Sequence, residues 1–145
     1  MKVLYILMRT DMPSMNAGRA MAQASHATNQ LMHRFGASKE VKEWQKETPY
    51  GFGTAIVLGC DLAQLNQVVT AAQQNNFLAQ AVEDPEYGRR IPTELVHLLD
   101  EKHEVSPRVA DGATTTIYTR EVTCGFVFGE KEDLKPVLNG LKLHP

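Results

Sequence analysis

The sequence predicts an α/β sandwich, a β-sheet flanked by helices, and three observations point to it. Two runs read as buried strands: Val3-Leu4-Tyr5-Ile6-Leu7-Met8, a continuous apolar run with β-branched and aromatic members, and Thr54-Ala55-Ile56-Val57-Leu58-Gly59. Segments with helical spacing follow each run. The resulting order, β-α-α-β-α-β, an irregular stretch, then β-α, is that of a sheet covered by helices. At 145 residues the chain is one domain, 1–145, long enough to bury a self-sufficient core.

The first strand, Val3–Met8, ends at Arg9-Thr10-Asp11-Met12-Pro13. Ser14 or Asn16 then caps a helix over about Ala17–Phe35. Ala20, Ala24, Ala27 and Leu31 recur at helical spacing, so one face is mostly alanine and its backbone can lie close to the sheet. Gly36 is the expected stop. Ser38 caps a second, polar helix to about Lys46, with Val41 and Trp44 inward, and Thr48-Pro49-Tyr50-Gly51 is a turn.

The second run is the next strand. Asp61 caps a third helix from Leu62 to about Asn75, with Leu65, Val68, Val69 and Ala72 at helical spacing. A third strand, Phe77–Val82, is expected to close at Asp84-Pro85. Residues 84–112 form an irregular insertion holding one short helix, Thr93–Lys102. Thr114–Thr119 and Val122–Phe128 are β-rich, and Glu130–Asn139 is a last short helix with Pro136 inside it.

Composition narrows the function classes. Lys+Arg number 15 and Asp+Glu 17, a formal net charge of -2, so the chain is not basic enough to grip nucleic acid non-specifically. The charge is divided unevenly. Residues 1–60 carry seven basic and four acidic side chains, and residues 61–145 carry eight and thirteen, which directs an anionic partner to the N-terminal half. No apolar stretch approaches the ~20 residues of a membrane span, and Val3–Met8 is too short for a secretion signal. Cys60 and Cys124 have neither disulfide-framework nor zinc-site spacing, and read as two reduced, buried thiols of a cytoplasmic protein.

The common phosphate-loop, dinucleotide, zinc-protease and serine-hydrolase motifs are absent from the sequence. What remains is a polar stripe on the first helix, Arg19, Gln23 and His26, at spacings of four and three. With the alanine face on the sheet, this stripe comes to the helix margin near the end of the first strand, where Arg9 and Asp11 leave it. Spacing alone is also met by a solvated stripe beside an Arg9–Asp11 salt bridge. His33 extends that stripe, and His97, His103 and His144 show no ligand spacing.

Arg9-Thr10-Asp11 after an apolar first strand, then Gly18-Arg19-Ala20-Met21-Ala22-Gln23-Ala24-Ser25-His26-Ala27, resembles the opening of the type II peptidyl-tRNA hydrolases. That family reads R-T-D, then G-K-x-A-A-Q-x-x-H-A on its first helix. Thr123-Cys124-Gly125-Phe126-Val127-Phe128-Gly129 resembles its final strand, which starts at a functional Thr, and Leu141-Lys142-Leu143 its closing tail. The order of elements agrees over most of the chain apart from residues 84–110. The resemblance implies a three-layer α/β/α sandwich with a four-stranded mixed sheet.

The resemblance further implies hydrolysis of the ester joining a nascent peptide to the tRNA 3′ end. The partner would be peptidyl-tRNA or the tRNA acceptor end, with no metal, no cofactor and no membrane, and a homodimer is compatible with it. The chemistry needs an oriented water, a proton acceptor and donors for the oxyanion. The family's Lys is Arg19 here, which keeps the charge but not the geometry, and Ala17 stands where the family has a second Lys. The family's D-A-G-x-T-Q segment has two candidate counterparts. Asp84 matches by strand position. Asp111, in Asp111-Gly112-Ala113, matches by spacing to Thr115 and Thr123. The implied catalytic set is therefore Arg19, His26, Asp84 or Asp111, Thr115 and Thr123, with Arg9, Asp11 and Gln23 binding substrate. A second reading keeps the fold without that activity, for a nucleotide, a small ligand or another ester or amide. A third is an interaction domain.

Overall fold

The computed structural model describes residues 1–98 and 106–145, with residues 106–111 as backbone only. Its elements are β1 (Lys2–Arg9), α1 (Ala17–Phe35), α2 (Lys39–Lys46), β2 (Ala55–Cys60), α3 (Leu62–Gln74) and β3 (Leu78–Pro92). A 3-10 turn (Thr93–Leu98), β4 (Ser106–Asp111), β5 (Thr114–Glu130), α4 (Lys131–Leu138) and β6 (Lys142–Leu143) complete the order. The chain forms two compact units, Met1–Val82 with Thr123–Pro145, and Glu83–Val122.

The first unit is a mixed sheet with strand order β3-β5-β1-β2-β6. β1 is central, parallel to β2 and antiparallel to β5, and Val3 through Met8 are all buried, as a strand covered on both faces requires. Leu4, Ile6 and Met8 face α1 and α2, where Ala27, Leu31, Val41 and Trp44 meet Cys124, Phe126 and Phe128. The other face belongs to α3 and α4. A methyl group added at Gly125 would meet Val69, and one at Gly129 would meet Phe77 and Leu134. The result is three layers.

Local chemistry sets the boundaries. Of the two cap candidates for α1 it is Asn16 that acts, its Oδ1 accepting from Arg19 N at 2.9 Å. Ser38 caps α2, and Asp61 with Gln64 forms a reciprocal capping box on α3. The Met1 ammonium donates to Glu130 at 2.9 Å, and Lys2 Nζ reaches Glu43 and Glu130 at 3.2 and 3.1 Å. This network closes the entry to β1.

Several expectations are corrected. The described sheet exceeds four strands, because the tail pair Lys142–Leu143 adds β6 against β2, and β4 pairs with β5. Two residues are too few to show a period. β3 does not stop at Asp84-Pro85 but runs to Pro92. Among the described residues it has a sheet neighbour on one side only, and edge strands are where proline is tolerated. Thr114–Thr119 and Val122–Phe128 are parts of one strand. The helix expected over Thr93–Lys102 is a 3-10 turn ending at Leu98, and its remainder lies outside the described residues. Pro136 does not break α4, whose Leu134 and Leu138 are buried on both sides of it.

In the second unit, β4 and β5 form a hairpin in which Asp111 pairs with Thr114 and Gly112 takes φ +54°. Thr93 fastens this turn. Its N–H donates to Ala113 O at 2.9 Å, and its hydroxyl donates to Gly112 O at 3.0 Å.

The buried line on α1 is Gln23, Ala27 and Leu31, with Ala20 and Ala24 half-buried beside it. Ala27→Leu should therefore overpack the helix–sheet contact and cost about 1–3 kcal/mol. Denaturant unfolding measures this, and an unchanged midpoint would contradict close packing at Ala27.

Candidate active site

The candidate site begins where β1 ends. Arg9 Nε donates to Asp11 Oδ1 at 2.9 Å and Nη2 to Oδ2 at 3.1 Å, a two-point pairing. Asp11 Oδ2 also accepts from Leu62 N at 3.3 Å, on the first turn of α3. The Arg9 guanidinium, helped by that N–H, holds the Asp11 carboxyl below the usual carboxylate range against the opposing effect of burial. The pair thus fastens the exit of β1 to the start of α3.

Over the same strand end lies α1. Arg19, half-buried, donates from Nη1 to Ser14 O at 3.4 Å. Gln23 does not stay at the helix margin but turns inward, and is 4% exposed. The reason is Thr123, which is 0% exposed and donates its hydroxyl to Gln23 Oε1 at 2.6 Å. The Cys124 thiol donates to the Gln23 backbone carbonyl at 3.3 Å. Cys124 sits opposite Met8 in the β1–β5 register, so these bonds join the end of β1, the start of the inner part of β5, and α1. His26, one turn further along α1, is exposed.

The remaining candidates belong to the second unit. Asp84 is half-buried and its Oδ1 accepts from Glu86 N at 2.9 Å, an Asx-type turn. Thr115 is buried, with its hydroxyl 2.9 Å from that of Thr93. Asp111 is placed by its backbone at the β4–β5 turn.

Sequence reasoning did not find Cys124 as a support of Gln23, nor Thr93 as the partner of Thr115. A thiol in an apolar run and a threonine in a polar stretch carry no spacing signal. Nor did it find a cleft of about 410 Å³ at the C-terminal ends of β1 and β2, lined by Thr10, Gly59, Cys60, Gln64 and Lys142 among others. Parallel strand ends are where such clefts form. Cys60 borders that cleft with its thiol withdrawn, donating to Met8 O at 3.6 Å, and burial pushes its pKa up to about 12. Among the described residues, no group of three or more His, Cys, Asp or Glu is placed to hold a metal ion, and no helix is long and apolar enough to cross a membrane.

The buried bond and the Arg9–Asp11 pair can each be tested by stability. Thr123→Val strips Gln23 Oε1 of a buried donor and should cost about 1–3 kcal/mol. Adding Gln23→Leu should recover part of that loss, and a double-mutant cycle in urea reads the coupling. Strict additivity would show that the bond does not matter. For the pair, the variable is acid. A lowered folded-state pKa means that Asp11 contributes fully above the ordinary carboxylate range and loses its contribution as pH falls through the lowered value. Wild type should exceed Asp11→Asn by at most about 1 kcal/mol at neutral pH, because the pair is partly exposed. The difference should shrink as pH falls below the ordinary carboxylate range and vanish below the lowered folded-state value.

The sequence pattern of the family described as Peptidyl-tRNA hydrolase PTH2 matches residues 2–144. No curated protein matches the chain in sequence. A solved structure from Agrobacterium tumefaciens, titled as a protein of unknown function, is similar with a TM-score of 0.51 at 10% identity, covering 99% of this chain and 98% of that one. At that identity the likeness speaks for the fold alone. The family match spans nearly the whole chain and includes both the α1 motif and the β5 threonine that the buried Thr123–Gln23 bond joins, and the chain belongs to the PTH2 family of peptidyl-tRNA hydrolases.

Proposed function

We propose that the protein hydrolyses the ester between a peptide and the 3′ end of tRNA. The observation that carries this reading is the Thr123–Gln23 bond, because it joins the two most family-like segments at the end of the central strand. In the reaction, water attacks the ester carbonyl, the tetrahedral oxyanion collapses, and the ribose hydroxyl leaves with a proton. His26, or Asp84 or Asp111, orients the water and takes its proton. Arg19 supplies charge to the oxyanion, and Thr115 takes the place of the family's second threonine. Thr123 holds Gln23 in the interior, and Arg9 and Asp11 face the tRNA end. The same reading treats residues 1–145 as one family domain with an insertion at about 84–112. It places the protein in the cytoplasm, where translation makes peptidyl-tRNA, and a homodimer is compatible with it.

One observation favours a second reading, a binding protein on the same fold. The Thr123 hydroxyl is fully buried and its proton is directed at Gln23, which withholds it from an oxyanion. Arg19 in place of the family's Lys points the same way. Its planar fork suits a phosphate or carboxylate bidentately, whereas a compact ammonium approaches an oxyanion from many directions.

Release of tRNA from N-acetyl-aminoacyl-tRNA at saturating substrate separates the two. Arg19→Lys should raise turnover, and His26→Ala should lower it by about 10²-fold or more if His26 is the general base. No turnover by wild type or by Arg19→Lys would overturn the hydrolase reading in favour of the second one.

A further inference from the structure

The segment between α2 and β2 exposes two aromatic rings on a backbone that is held tightly. Tyr50 is 86% exposed and Phe52 63% exposed, and their rings lie nearly parallel, 14° apart in orientation with centroids at 6.4 Å. Burial of such rings is the ordinary outcome when a loop is free to fold back. Here the loop is fixed. The Thr48 hydroxyl accepts from Phe52 N at 3.2 Å and Gly53 N at 3.0 Å, and Gly51 N donates to Thr48 O at 3.2 Å. Gly53, at φ +68°, lies against the Trp44 ring so closely that a Cβ there would come within 2.2 Å of it. Trp44 itself is anchored by Nε1 to Thr54 O at 2.8 Å. The rings are therefore presented outward by construction.

The helix that leads into this loop has segregated charge. Lys39, Lys42 and Lys46 follow the spacing i, i+3, i+7 and form one row, and Glu40, Glu43 and Glu47 form the next. The acidic row is engaged with the start of β1, where Lys2 Nζ meets Glu43 and Lys2 N donates to Glu47 at 3.2 Å. Lys39 pairs with Glu43, but Lys42 and Lys46 are exposed and have no ion pair among the described residues. Tyr50 follows Lys46 by four residues, which span at most about 14 Å. Unpaired cations on the helix that leads into exposed aromatic rings supply the two components of a single-stranded nucleic-acid platform.

The geometry points to a single-stranded RNA contact here, with Tyr50 and Phe52 stacking unpaired bases and Lys42 and Lys46 meeting the phosphates. It lies away from the candidate active site. The loop precedes Ala55, which pairs with Leu4, whereas Thr123 lies beyond the Met8–Cys124 pair. The intervening strand is about 13–17 Å long at ~3.3 Å per residue. A small ester does not reach both places, and an RNA does. The proposal rests on the peptidyl-tRNA reading and extends it by giving the unpaired nucleotides next to the 3′ end their own contact, but the contact is measurable without hydrolysis.

The test is fluorescence anisotropy with a fluorescein-labelled twelve-nucleotide oligoadenylate and a duplex of equal length. Wild type should prefer the single strand. Tyr50→Ala/Phe52→Ala should weaken binding by about 10-fold or more with little change in salt dependence. Lys42→Gln/Lys46→Gln should instead flatten the salt dependence by about 1.4 in slope, roughly 0.7 for each phosphate that is no longer neutralised. Tyr50→Phe should bind like wild type. Circular dichroism and thermal melting confirm that the variants fold. Equal binding by wild type and the aromatic variant would overturn the proposal. So would a wild-type dimer in ultracentrifugation that Tyr50→Ala/Phe52→Ala disperses, since a second copy would then cover the rings. Ester cleavage of N-acetyl-aminoacyl-adenosine, which lacks the RNA body, should be unchanged in the aromatic variant. A wild type inactive on that compound and on peptidyl-tRNA, yet binding the oligonucleotide as described, would remove the hydrolase reading and leave this one standing.

Discussion

One buried hydrogen bond ties the chemistry of this protein to its fold. Thr123 donates to Gln23 between a strand and a helix one hundred residues apart in sequence. Both groups are buried, so losing the bond leaves a buried donor or acceptor to bear the cost of an unmet bond. That requirement fixes the rotation of α1. With Gln23 inward, Ala27 and Leu31 fall onto the sheet below it, and Arg19 and His26 are carried to the flanks. The Cys124 thiol, on the next residue of β5, holds the backbone of the same turn of helix. A helix turned by one residue would lose both bonds together.

The strength of the sequence signal followed burial. β1 was readable because a strand buried on both faces is a continuous apolar run, β2 because its residues are apolar although only Leu58 and Cys60 are buried, and α3 because its cap and its apolar spacing agree. β3 beyond Val82 was not, since polar and charged residues dominate there, and neither was β4, which the backbone pairing with β5 defines. β6 pairs through its backbone with both side chains exposed, so nothing in the identities of Lys142 and Leu143 announces it.

For the candidate site the outcome differs from residue to residue. The Arg9–Asp11 pairing was readable from adjacency and charge, but its hold on Leu62 N depends on where α3 starts in space. Gln23 was picked out for its place on a polar stripe, yet stripe geometry assigns it to the margin, and the buried Thr123 hydroxyl overrides that assignment. Spacing treats every polar side chain as seeking water. A polar side chain with a buried partner obeys a different rule, and here the partner lies far along the chain.

The two thiols have a practical meaning for anyone handling the protein. Neither is in a disulfide, and both donate to backbone carbonyls in the interior, Cys60 to Met8 and Cys124 to Gln23. A reducing buffer therefore has no cross-link to break. An alkylating reagent must wait for the chain to open, since the thiolate is the reactive form and Cys60 is kept protonated far above neutral pH. Because the two sulfurs sit on the strands that flank β1 on either side, the order in which they become labelled would record which flank of the central strand parts first.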